Sequence, residues 1–142
     1  MLHGVEGVEV IALDASGGLK WASPNHGGDC IAPMALGPDG TAYLSCGDSV
    51  QAIDAATGAV RWLALPWGGT GVFSLPAVDA AGTIYVASEG QNGGFYAFNP
   101  DGSPKWRYRI DGGTAGGISI GADGTLYGAF DRRVYAFVPD PM

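Results

Sequence analysis

Among the 142 residues, the side chains best suited to chemistry are His26, Asp29 and Asp48. An imidazole and two carboxylates could hold a metal ion or move a proton near neutral pH. Polar residues of ordinary solvated loops look the same, and that plainer reading carries more weight. Trp67, in Pro66-Trp67-Gly68-Gly69, could anchor a partner through its large ring, or fold down onto its own strands. Asp39, Asp101 and Asp123 resemble pieces of calcium loops, but no alternating acidic run ends in a closing glutamate, so they read as turn residues. No nucleophile elbow, phosphate loop or zinc-protease motif occurs. These residues predict no metal, no cofactor and no catalysis.

The elements that must position these residues are written in the composition. With 25 glycines, 9 prolines and only 15% charged residues, long helices would be broken every few positions. A hydrophobic fraction of 46% excludes a disordered tail. The apolar runs are too short for a transmembrane helix. A net charge of −7 argues against a nucleic-acid partner. Residues Met1 to Glu6 carry neither a basic nor an apolar signal-peptide region, so the sequence reads as cytosolic, already processed or excised.

Three markers recur along the chain. Gly-Thr-X-Tyr stands at Gly40–Tyr43, Gly82–Tyr85 and Gly124–Tyr127, at intervals of 42 residues. Trp21, Trp62 and Trp106 follow at nearly the same interval. Apolar strands centred on Ala12, Ala52, Ala97 and Ala136 form the third marker. Each period divides into four short strands separated by turn signals, which is the pattern of a β-propeller blade. The predicted fold is all-β, with a partial blade at 8–23, whole blades at 31–64 and 74–110, and a partial blade at 116–138.

The stretch Ala52-Ile53-Asp54-Ala55-Ala56-Thr57-Gly58-Ala59-Val60-Arg61-Trp62 resembles the Ala-X-Asp-X-X-Thr-Gly-X-X-X-Trp docking motif of PQQ-like β-propeller repeats, the quinoprotein-type and BamB-like family. Ala12 to Trp21 and Ala97 to Trp106 resemble its one-residue-shorter form. The chemistry of the motif is legible: Asp54 can accept hydrogen bonds from amides near Thr57 and Gly58, and Gly58 can supply a positive φ. Trp62 can then lie flat against the neighbouring blade. The resemblance implies an architecture rather than an activity. It allows a non-catalytic protein-binding or scaffold module, with a fragment of a quinoprotein dehydrogenase as the alternative. Such dehydrogenases typically carry an adjacent cysteine pair near the quinone, which this sequence lacks. The resemblance also implies residence outside the cytoplasm.

About three and a quarter blades should not close alone, because known propellers close with four to eight. Either the chain belongs to a larger propeller, or two copies close a ring of about six blades, with one third-type strand per chain in surplus. The longer, dissimilar loops fall on one face and place there His26, Asp29, Asp48, Trp67, Glu89, Asn92, Asp111 and Arg132 as possible binding residues. The opposite face, with short and near-identical turns, reads as structural. Cys30 and Cys46 flank one hairpin and could face each other across two strands. Two buried thiols are the default, and a cross-strand disulfide in an oxidising compartment is the alternative. Two free thiols in an unreduced, denatured sample would exclude the bridge.

Overall fold

The computed structural model describes residues 10–23, 34–46, 49–64, 76–89, 93–110, 115–130 and 132–138. Thirteen strands and no helix occur among them. Among the described residues, no helix is long and apolar enough to cross a membrane. A two-stranded hairpin comes first, β1 (Val10–Leu13) with β2 (Leu19–Ser23). Two four-stranded sheets follow. One contains β3 (Ala35–Leu36), β4 (Thr41–Cys46), β5 (Ser49–Asp54) and β6 (Val60–Ala64). The other contains β7 (Ala77–Val78), β8 (Ile84–Ser88), β9 (Gly94–Phe98) and β10 (Pro104–Arg109). A three-stranded sheet of β11 (Ala115–Ile120), β12 (Leu126–Phe130) and β13 (Arg133–Phe137) completes the chain.

Each sheet is an antiparallel meander in sequence order, so every strand pairs with its chain neighbour. Short Gly- and Asp-rich turns permit nothing longer-ranged. Among the described residues the first sheet therefore holds the outer two strands of a blade, and the last holds the inner three. The chain is an open propeller arc.

The apolar cores lie between successive sheets. Val10, Leu44 and Ile53 meet between the first and second sheets. Tyr43, Val50, Ala52, Ile84, Val86, Tyr96 and Phe98 fill the space between the second and third. Ala87, Phe95, Ile118, Leu126 and Phe130 join the third and fourth. The middle strands β5 and β9 are accordingly buried on both faces, whereas β6 and β10 are mostly exposed. In the last sheet, burial alternates along β12: Leu126, Gly128 and Phe130 face the third sheet, and Tyr127 and Ala129 face outward. Among the described residues, no blade lies against that outward face.

Gly94 sits where β9 starts, with φ 137°, and a Cβ there would collide with the backbone oxygen of Tyr108 on β10. Gly40 also has a positive φ, 80°, but has open space around it. Gly94→Ala should therefore cost about 3 kcal/mol or more, since strain adds to a steric clash. Gly40→Ala should cost only about 1–2 kcal/mol. Urea unfolding of the two variants checks this, and equal losses would contradict it.

Candidate functional site

A row of three side chains recurs across each whole blade. Tyr43 on β4 lies opposite Ala52 on β5, which lies opposite Trp62 on β6. Tyr85, Ala97 and Trp106 repeat the row in the third sheet. Strands two apart are separated by about 9–10 Å, yet the Tyr and Trp rings come within 5.9 Å of each other in both rows. They do so by leaning together over the central alanine, where a larger side chain would hold them apart. A register shift follows the Ala–Trp pair in β1–β2, β5–β6 and β9–β10 alike. It places a tight turn just beyond the pair.

Trp21 and Trp62 then each reach that turn on the following sheet. Trp21 Nε1 donates to the Ala55 carbonyl at 3.0 Å, and Trp62 Nε1 donates to the Pro100 carbonyl at 2.9 Å. The indole faces lie against glycine: a Cβ at Gly58 would stand 2.5 Å from Trp21 Cε3, and one at Gly102 would stand 2.7 Å from Trp62 Cδ2. Both glycines have positive φ, 80° and 88°, which most other residues adopt only with strain. One residue type thus meets two demands, a left-handed turn and a bare surface for the ring.

The aspartates build these turns. Asp54 Oδ1 accepts from the amides of Ala56 and Thr57, while the Gly58 amide bonds the Asp54 carbonyl. The carboxylate thus reaches one residue less far than the sequence implies. Asp54 also pairs with Arg61 at 2.9 Å, and Arg61 bonds the Thr41 hydroxyl and lies 3.5 Å from Asp39. The Arg61 guanidinium, then the Ala56 amide, holds the Asp54 carboxyl below its usual value. The Ser16 hydroxyl does the same for Asp14, the Ser103 hydroxyl for Asp101 and the Thr41 hydroxyl for Asp39. The Thr125 amide lowers Asp123.

On the same turn-bearing side, a groove of about 690 Å³ opens between the third and fourth sheets. Tyr85, Lys105, Trp106, Asp123, Phe137 and Val138 contribute to its lining. Its polar groups are engaged: Tyr85 Oη donates to Asp79 Oδ2 at 2.9 Å, and Lys105 Nζ lies 3.3 Å from the Thr83 hydroxyl. Burial, and then the Asp79 contact, push the Tyr85 phenol up to about 12, so it stays protonated at neutral pH. Trp106 packs on Phe137 at 5.6 Å. Among the described residues, nothing accepts a hydrogen bond from its indole nitrogen. The sequence reading treats this side as purely structural and misses the groove. The signal for it is the absence, among the described residues, of a fourth strand after β13, since that strand's turn is what a tryptophan at 106 should meet.

Sequence comparison adds the family. The family described as "Outer membrane protein assembly factor BamB" matches residues 47–138. The chain belongs to that family. Among solved structures, BamB from Moraxella catarrhalis aligns with a TM-score of 0.71 at 22% identity, over 93% of this chain and 40% of its own. A protein of unknown function from Bacteroides caccae aligns with a TM-score of 0.65 at 14% identity, over 92% and 54% respectively. The WD40 β-propeller domain of Doa1 gives 0.72 at 16% identity, over 88% and 42%. No curated protein matches in sequence. This BamB-family chain therefore spans about half or less of the solved chains it resembles, and at these identities they establish the propeller fold alone.

Of the predicted loop-face residues, Glu89 is half-buried just after β8. Arg132 is exposed, with φ 70°, in the hairpin between β12 and β13. His26, Asp29, Asp48, Trp67, Asn92 and Asp111 lie outside the described residues, as does Cys30. Cys46 ends β4 in register with Ser49.

The lowered carboxyl values fix the direction of acid sensitivity. Each such aspartate contributes stability that is present above the ordinary value of 3.8 and is lost as pH falls through its lower folded value. The urea midpoint should be nearly flat from about pH 7 to 5 and fall steeply below about pH 4. Asp54→Asn should lower the midpoint at neutral pH and flatten the acid slope. A wild-type midpoint that is unchanged at pH 3 would contradict the role given to these turns.

Proposed function

We propose that the chain works without catalysis, as a propeller segment that presents surfaces to protein partners outside the cytoplasm. Its open arc is completed either by another copy or by further blades of a longer propeller. The observation that carries this reading is the character of the two ends. Ile11, Leu13 and Leu19 are exposed on the first sheet, and Tyr127, Val134 and Val138 on the last. Val134 and Val138 are 77% and 76% exposed. Contiguous exposed apolar side chains beside unpaired strand edges are characteristic of association surfaces. The aspartates of the turns, by contrast, are engaged in holding the turns. Membership of a family described by outer membrane protein assembly supports a protein partner and an extracytoplasmic setting.

Light scattering behind a sizing column should show a mass that rises above 14.5 kDa with concentration. Added PQQ and calcium should leave no bound chromophore after desalting. A constant single-chain mass would remove self-association and leave completion by a longer chain. A stoichiometric chromophore would overturn the non-catalytic reading in favour of a quinoprotein fragment.

A further inference from the structure

The two ends of the arc lack complementary things. At one end, Trp106 has no glycine turn beneath it and no acceptor for its indole nitrogen among the described residues. At the other, the turn after β1 has the hydrogen bonds of the occupied turns: the Asp14 amide bonds the Gly18 carbonyl at 2.8 Å and the Gly17 amide bonds the Asp14 carbonyl at 3.0 Å. Gly17 has φ 88°, as Gly102 does. Yet nothing described lies within 4 Å of where its Cβ would stand, whereas Gly58 and Gly102 each carry an indole. The Ala15 carbonyl lies three residues beyond Ala12, as Ala55 follows Ala52 and Pro100 follows Ala97.

The side-chain rows are divided in the same way. Ala12 lies opposite Trp21 in the first sheet, and among the described residues no strand brings a tyrosine beside them. Tyr127 lies opposite Ala136 in the last sheet, and among the described residues no strand brings a tryptophan beside them. Tyr127 is consequently 44% exposed. In the sequence, Pro141 occupies the position of Gly102 in the repeat. Proline holds φ near −65° and cannot form that left-handed turn.

We infer that a second copy of this chain docks its β1–β2 hairpin onto the fourth sheet, so that Trp106 of one copy lies on the Gly17 turn of the other. This deepens, and rests on, the self-association reading above. The hairpin takes the place of β13, with Ala12 opposite Tyr127 where Ala136 now stands. That register puts Ile11 and Leu13, exposed in the single chain, at the places of Tyr135 and Phe137 against the third sheet. Tyr127 then leans over Ala12 toward Trp21, which restores the full row. One strand ladder replaces another, so the exchange is nearly even in backbone hydrogen bonds. The exchange gives up the ring contacts that Tyr135 and Phe137 make with Phe95, Trp106 and Tyr108. It gains a fourth strand, the Tyr127–Trp21 contact and the seat of Trp106 on the Gly17 turn. Two such joints close a two-copy ring of six blades, and β13 is the surplus strand.

The test uses the full chain. Wild-type protein should have a mass near twice 14.5 kDa. Trp106→Ala and Gly17→Val should each weaken dimerisation about thirtyfold or more, as loss of a central aromatic contact does. Gly40→Val, at a turn outside the joint, should leave the mass unchanged. A mixture of the Trp106→Ala and Gly17→Val chains should dimerise more tightly than either alone, because one intact joint re-forms. With a photo-reactive phenylalanine analogue in place of Tyr127, crosslinks should map to residues 19–23 of another copy. A wild-type dimer that survives both end variants, or crosslinks mapped elsewhere, would overturn this joint and leave self-association standing. A wild-type chain that stays at its single-chain mass at every concentration would overturn both.

Discussion

An indole ring laid on a glycine turn holds this molecule together. The contact joins a tryptophan on one blade's outermost strand to a backbone carbonyl and a bare Cα on the next blade. Neighbouring sheets share no hydrogen-bond ladder, so their spacing and tilt rest on packed side chains alone. Apolar packing is non-directional, whereas the Trp21 bond to Ala55 and the Trp62 bond to Pro100 have direction and fix the register of sheet on sheet. The remainder of the repeat supports that contact. The alanine lets tyrosine brace the ring, the register shift sets the turn under it, and the aspartate keeps the turn closed.

The fold was largely legible because its determinants are local. Turn residues at intervals of 42 and alternating apolar strands define a meander without any knowledge of long-range pairing. The strand limits were read less well. β-branched Thr83, for instance, precedes β8, while Gly94 and Pro104, residue types that disfavour strands, open β9 and β10. Hydrogen-bond register decides those positions, and composition does not record it.

The groove beside Trp106 was not legible as a place, although its cause was. That β13 is followed by no tryptophan can be read directly. Which side of the arc that omission opens depends on how the third and fourth sheets face each other, which is a tertiary property. The loop-face candidates rest on a different signal, dissimilarity between repeats. It marks where the chain is free to vary but not what it binds.

The joint between blades points one way, with a ring on the leading side and a turn on the trailing side. Neither part refers to how many blades precede or follow. Inserting or deleting one period of the repeat would therefore leave each inner tryptophan facing a glycine turn, although the apolar partners between sheets differ, Val50 and Val86 at one joint and Phe95 and Gly128 at the next. Length in this architecture is thus a quantity that duplication can alter in whole steps, while the seat of ring on turn at each step stays the same.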